Sequence, residues 1–258
     1  MSINSETPRL NPLGQAVLGG ISSFLINGVI HPISTIQSCI MANPLSTVRT
    51  LRQMNFSSLY RGYWAICGTD SVAFAAAYVT NDAFRDCFSQ LTASILAGIV
   101  CAPVICLGEG LARNRQVNGM RYSEVFQRAI RPTGLAATAF REIPFTVAVF
   151  WLTPLLQKEL PTPSSIVAQA VAGTLAGSIA GLATSPFDLI KTRVQTNERP
   201  LTIANVVCAV YVEKGWQGFF RGGVMRALYV GLAGAGMNIV NNTVPHYLAK
   251  DLQTALAD

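Results

Sequence analysis

Long apolar stretches, each interrupted by a few polar residues, set the pattern of this chain. Residues 66–78 read ICGTDSVAFAAAY and carry Asp70 in an otherwise weakly polar run. Residues 137–156 are apolar apart from a few positions that include the adjacent pair Arg141 and Glu142, and residues 164–186 are nearly free of charge and rich in Gly, Ala and Ser. A helix that crosses a bilayer needs about 20 mostly apolar residues. Ionisable side chains inside such helices face a bundle interior or a water-filled cavity. The pattern therefore predicts helices that line a path, with approximate spans 12–41, 63–88, 91–117, 134–158, 163–196 and 223–252. Shorter amphipathic helices are expected near 44–54, 121–130 and 202–213, where one apolar face can rest on a membrane surface.

Composition sharpens this picture. Half of the 258 residues are hydrophobic and only 12% are charged, about half the charge of an ordinary soluble domain. The surplus apolar surface has to face something other than water, and lipid is the simplest choice. The formal net charge is +6, and a basic chain invites a nucleic-acid reading. The placement of the charges argues against it. Thirteen of the nineteen Lys and Arg fall within 42–61, 113–133 and 191–221, with only Glu124, Glu198 and Glu213 among them. One membrane face thus collects the basic connections, as the positive-inside bias requires. The six cysteines form no C-x-x-C pair and the two histidines, His31 and His246, lie far apart, so no metal site or cofactor is expected. The first fifteen residues have neither a secretory signal nor an Arg-rich presequence pattern, and targeting is expected to be internal.

The last third carries the clearest internal unit. Gly173, Gly177 and Gly181 lie four apart on one helix face, a spacing that lets another helix approach closely in lipid. Pro186, Asp188, Lys191, Arg193 and Gln195 come next, and then Gly215, Phe219, Arg221 and Gly222. The first group resembles the Pro-x-[Asp/Glu]-x-x-[Lys/Arg]-x-[Lys/Arg]-x-Gln signature of the mitochondrial carrier family, and the second resembles that family's Gly-aromatic-Arg-Gly element. Earlier parts of the chain keep the same plan with losses. Gly19, Gly20 and Pro32 precede Ser34 and Gln37, which stand at the acid and base positions, and Tyr60, Arg61 and Gly62 match the second element. Gly98 precedes Glu109 by the same eleven residues that separate Gly177 from Asp188, and Gln116 comes after Glu109 as Gln195 comes after Asp188. This register places Leu107 at the proline position and Ala112 at the base position. The run Arg141-Glu142-Ile143-Pro144-Phe145 is similar to one found in several carriers.

The resemblance implies an all-α membrane protein: six tilted transmembrane helices in three pseudosymmetric repeats, 12–88, 91–158 and 163–252, with surface helices between the two helices of each repeat. It implies a multi-pass protein of the mitochondrial inner membrane with both termini toward the intermembrane space and the basic loops toward the matrix. It further implies a matrix gate of Gln37, Glu109, Gln116, Asp188, Lys191 and Gln195. In that register Glu109 pairs with Lys191, Asp188 meets only Gln37, and Ser34 and Ala112 form no bridge, so a weakened latch is expected. A cytoplasmic gate retains only Asp82 and Arg85, one turn apart; a solvated helix end accounts for them equally well. Substrate contacts are expected at Thr69, Asp70, Arg141, Glu142, Arg226 and Tyr229, with structural pairing of Arg141 to Asp70 or Glu142 as the alternative.

The function implied is that of a transporter, not an enzyme, that moves a small metabolite by alternating access. Asp70 and Glu142 against Arg141 and Arg226 suit a zwitterion such as S-adenosylmethionine or an amino acid, with a nucleotide remaining open. The expected partners are that metabolite and the lipid bilayer, cardiolipin included, with no nucleic acid and the chain acting as a monomer. The rival reading is a carrier-like membrane adaptor that no longer transports. An open polar cavity reaching residues 69, 141 and 229 separates the two readings, since an adaptor's cavity would be plugged by large apolar side chains.

Overall fold

The computed structural model describes residues 12–42, 54–121, 123–125, 135–197 and 201–255. Six long helices dominate the described residues: α1 Pro12–Ala42, α2 Tyr63–Arg85, α3 Gln90–Asn118, α4 Leu135–Lys158, α5 Ile166–Thr196 and α6 Gly223–Ala255. No strand occurs among the described residues. Every helix lies within a few residues of the span that the apolar pattern predicts. Of the surface helices, the one expected at 202–213 is present as Ile203–Lys214. The expectation for 44–54 falls almost wholly outside the described residues, and that for 121–130 is described only at 121 and 123–125, the last three helical.

The helices close a ring. Each packs against its sequence neighbours, and α1 packs against α6 to complete the circuit. The three odd helices also meet one another. Small residues make the tightest of these seams. A Cβ added at Gly19 would come within 2.9 Å of the Phe74 carbonyl on α2, and one at Gly98 within 2.8 Å of the Ile143 Cα on α4. A Cβ at Gly177 would strike the Val230 carbonyl on α6, and one at Gly181 would lie 2.9 Å from the Arg226 carbonyl. Each odd helix therefore presents a glycine to the even helix that comes after it. Without a hydrophobic force between helices in lipid, close backbone contact is what holds such a seam.

The outside of the ring is apolar and the inside polar, the reverse of a water-soluble bundle. Val167, Val171, Leu175, Ile179 and Leu182 form an exposed stripe along α5, while Asp188, Lys191 and Thr192 of the same helix are buried. Five helical runs among the described residues are long and apolar enough to cross a membrane. Helix α2 is not among them, since Thr69, Asp70, Thr80, Asn81 and Asp82 lower its hydropathy. Prolines inside the helices include Pro32 in α1, Pro103 in α3, Pro144 in α4 and Pro186 in α5. Each lacks the N–H that its turn would use. Downstream of Pro144, α4 widens into a π turn over Ala148–Leu152, and the Thr153 hydroxyl donates to the Ala148 carbonyl at 2.7 Å.

Odd helices begin and even helices finish at one end of the ring, here the terminal end. At the other, the loop end, odd helices finish and even helices begin. There the Arg193 guanidinium grips Glu213 of the surface helix with two bonds of 3.0 and 2.9 Å.

Candidate functional site

Charged side chains converge from the odd and even helices on the inside of the ring. Helix α3 supplies Glu109 and Arg113, α4 supplies Arg141 and Glu142, α5 supplies Asp188 and Lys191, and α6 supplies Arg226; all are buried or nearly so. Lys191 Nζ donates to Glu109 Oε2. Arg141 bridges the network: its Nη1 lies 2.6 Å from Glu109 Oε1 and 3.0 Å from Asp188 Oδ1, and its Nε donates to Glu142 at 2.7 Å. Asp188 also accepts from Gln37 and from Arg113 Nη2 at 2.8 Å, and faces Arg226 Nη1 at 3.7 Å. Desolvation of each ion is costly, and only this density of opposite charge and hydrogen bonds offsets it.

The structure corrects the expectation for Asp188. Asp188 does not meet only Gln37; three guanidiniums surround it. The base absent at position 112 is supplied one residue later, by Arg113. Ala112 sits against Gly62, where a Cβ on the glycine would lie 2.9 Å from the Ala112 Cα and carbonyl oxygen. Gly62 adopts φ +78° as the chain turns into α2, a conformation that favours glycine. A long basic side chain at 112 would collide with that turn, whereas position 113 points toward the axis.

The two later gate glutamines join odd helices. Gln116 Nε2 donates to Thr35 Oγ1 at 3.3 Å, linking α3 to α1. Gln195 Nε2 reaches the Cys106 carbonyl at 3.4 Å, linking α5 to α3. Asp82 and Arg85 pair with each other at 2.7 Å along α2 and are about a quarter exposed, so they make a helix-end pair, with no bridge to another helix among the described residues.

A cavity lies between the charge network and the terminal end. Asp70, Glu109, Arg141, Glu142, Arg226 and Tyr229 all line it. Thr69 does not: it packs on Gly108 of α3, and its hydroxyl donates to the Ala65 carbonyl at 2.7 Å. Neighbouring helix positions point about 100° apart, and here Asp70 takes the inward direction. Asp70 Oδ2 accepts from Asn27 Nδ2 at 3.1 Å and has no cationic partner among the described residues. Tyr229 donates to Asn27 Oδ1 at 3.3 Å, and the Arg226 guanidinium lies 6.0 Å from the Tyr229 ring centre, within cation–π range. The walls between these groups are Phe74, Phe145, Ile105 and Met237. Asn27 and Arg113 are the two site residues that sequence reasoning missed. The first is a neutral amide with no spacing signal, and the second is offset from its motif position.

Comparison with known proteins bears on this arrangement directly. Residues 162–252 match the family described as Mitochondrial carrier protein. The chain is 26% identical to the S-adenosylmethionine mitochondrial carrier protein homolog of Drosophila melanogaster, over 85% of this chain and 87% of that one. It is 25% identical to the mitochondrial S-adenosylmethionine carrier protein of Danio rerio, over 84% of this chain and 91% of that one. A shorter stretch is 35% identical to mitochondrial glutamate carrier 2 of Homo sapiens, over 38% of this chain and 34% of that one. With its closed ring of six helices, apolar exterior and charged interior, the chain is similar over most of its length to mitochondrial carriers, its last third matches that family's model, and its helices suit a multi-pass protein of the mitochondrial inner membrane.

Proposed function

We propose that this carrier moves a zwitterionic metabolite of net positive charge, and that S-adenosylmethionine, named for two of its relatives, is its substrate. The observation that carries the reading is Asp70. Every other charged group lining the cavity already has an opposite partner among the described residues, whereas Asp70 has only the Asn27 amide. The lining holds three carboxylates, Asp70, Glu109 and Glu142, against two guanidiniums, Arg141 and Arg226. A ligand with a sulfonium, an ammonium and one carboxylate brings the complementary net charge of +1 into this site. Its cation meets Asp70 beside the faces of Phe74, Phe145 and Tyr229, and its carboxylate meets Arg226, whose contact to Asp188 is long at 3.7 Å. Glutamate, named for a further relative, adds negative charge to a cavity that already has an excess of it.

The same reading treats 12–88, 91–158 and 163–252 as three repeats around the cavity, supported by the matching placement of Gly19, Gly98 and Gly177 at odd–even seams. Gln37, Glu109, Gln116, Asp188, Lys191 and Gln195 then close the matrix side. Arg141 belongs to both the cavity and this closure. A substrate carboxylate drawing on Arg141 or Arg226 weakens their hold on Asp188 and Glu109. In this way binding favours the matrix-open state by its differential affinity for the two states.

The test is a thermal-shift and uptake comparison of purified protein with S-adenosylmethionine, glutamate and ADP. A ligand bound by the folded state raises apparent stability. S-adenosylmethionine alone is expected to raise the melting temperature and to be taken up by proteoliposomes, with Asp70→Asn abolishing both. Stabilisation by glutamate or ADP and none by S-adenosylmethionine overturns the proposal.

A further inference from the structure

We infer that Arg113 is the keystone of the loop-end closure in this chain, a positioning residue that ties all three odd helices together from outside the family register. The inference rests on the alternating-access reading only for its consequence in transport; the contacts stand by themselves. The Arg113 guanidinium donates to Ser38 on α1 at 3.4 Å, to Thr192 on α5, to Asp188 on α5 at 2.8 Å and to Glu109 on its own helix at 3.3 Å. One side chain thereby bonds to all three odd helices. Its partners also share a pattern. Ser38 comes after Gln37, Arg113 after Ala112 and Thr192 after Lys191, so the three residues are each one step past the base position of their helix. They form a second polar layer beneath the first.

This layer repairs the losses read from the sequence. Ser34, Gln37 and Ala112 remove one acid and two bases from the three pairs that the family motif would form. Arg113 restores a cation opposite Asp188 and adds reach that a base at 112 would lack, because the planar fork bonds in several directions at once. It is buried, with about 4% of its side chain exposed. Separating α1, α3 and α5 at this end therefore strips a desolvated guanidinium of partners on two helices together. The closure thus opens as a unit and not one seam at a time.

The experiment reads the closure through Cys39. This thiol is buried on α1 against the Gln116 carbonyl of α3, at 3.5 Å, so it becomes reactive when α1 and α3 part. The full chain in proteoliposomes is treated with N-ethylmaleimide, and labelling is followed at Cys39 by peptide mass spectrometry. Cys101, fully buried on α3 in the α3–α4 packing, serves as an internal reference. Arg113→Ala is expected to speed Cys39 labelling by about tenfold or more, since a lost buried charged contact shifts a two-state equilibrium by at least that factor. Cys101 labelling is expected to stay at the wild-type rate, which a general loss of folding would not allow. Arg113→Lys, which keeps the charge but not the fork, is expected to fall between Arg113→Ala and wild type, and it decides the matter if the alanine variant does not fold. Unchanged Cys39 labelling in a folded Arg113→Ala protein overturns the inference, as does an Arg113→Lys variant indistinguishable from wild type. Faster Cys39 labelling with no uptake of any metabolite by wild-type protein upholds the keystone and rejects the transport reading.

Discussion

The two ends of this bundle are closed by different chemistry. At the loop end Glu109, Arg113, Arg141, Asp188 and Lys191 form one buried ionic network. At the terminal end the contacts between helices are neutral. Asn238 Nδ2 on α6 donates at 2.9 Å both to Gln157 on α4 and to the Gln169 carbonyl on α5. Gln90 Nε2 on α3 donates at 3.1 Å to Asn81 on α2 and to the Phe150 carbonyl on α4. Asn241 on α6 bonds the Tyr78 hydroxyl on α2. All three even helices are linked this way, without an ion pair between them among the described residues. A neutral bond lost on opening is readily replaced by water at a net cost of about 1 kcal/mol. A buried guanidinium or carboxylate parted from its partner costs about 3–5 kcal/mol. The asymmetry implies that the two ends open at different cost and that the terminal end yields first. A carrier whose loop end stays shut without substrate is protected against leak from the side that carries the heavier lock.

The comparison is broken most severely at Asp188. Asp188→Asn leaves Arg113, Arg141 and Arg226 facing one another around a neutral amide. The expected loss of stability is about 3–5 kcal/mol, read as a large fall in melting temperature in detergent, with uptake abolished. If Asp188→Asn behaves like a single amide deletion at the terminal end, the two closures do not differ in kind. Next in size is the pair Glu109 and Lys191. Glu109→Gln strands the buried Lys191, whereas Lys191→Met leaves Glu109 to Arg141 and Arg113, and the double variant strands no ammonium. The double variant is expected to be less destabilised than the sum of the singles by about 1–3 kcal/mol. Additive losses would mean that the Nζ–carboxylate contact carries no coupling.

How much of this is legible in the sequence differs between the ends for physical reasons. Helix positions come from apolar runs long enough to span lipid. The meeting of Glu109 with Lys191 comes from motif spacing, because motif positions recur at one height on each odd helix. Arg113 is illegible since its placement depends on a tertiary collision, Ala112 against the left-handed turn at Gly62. Thr69 and Asp70 are adjacent, and only the packing of Thr69 on Gly108 decides which of them turns inward. In the sequence the terminal end looks nearly empty because Asn238, Asn241, Gln90 and Tyr78 carry no charge and fall on no ionic motif, though amides and hydroxyls also tie helices together in lipid.

Among the neutral contacts, Asn238→Ala is expected to cost more than Tyr78→Phe, since Asn238 joins two other helices and Tyr78 one. At about 1 kcal/mol per bond, melting shifts should rank in the order of bonds lost. Both variants should keep substrate-induced stabilisation, because Asp70 and Arg226 are untouched. A fall in stability at Asn238 as large as that at Asp188 would show that the terminal end is the stronger closure.

Asp82 and Arg85 set the smallest expected effect and the sharpest check on the boundary between gate and surface. They lie at the terminal end and are the last charged residues there that the family register would assign to a gate. Yet they pair with each other on one helix, about a quarter exposed, at 2.7 Å. An exposed pair of this spacing is worth about 0.3–0.5 kcal/mol and is screened by salt. Asp82→Asn should therefore lower the melting temperature slightly at low ionic strength and not at all at high, with uptake unchanged in either condition. A salt-insensitive loss, or altered transport, would mean that Arg85 swings to another helix when the terminal end closes fully. The terminal end would then hold an ionic lock of its own, and the contrast with the network around Asp188 would shrink to one of degree.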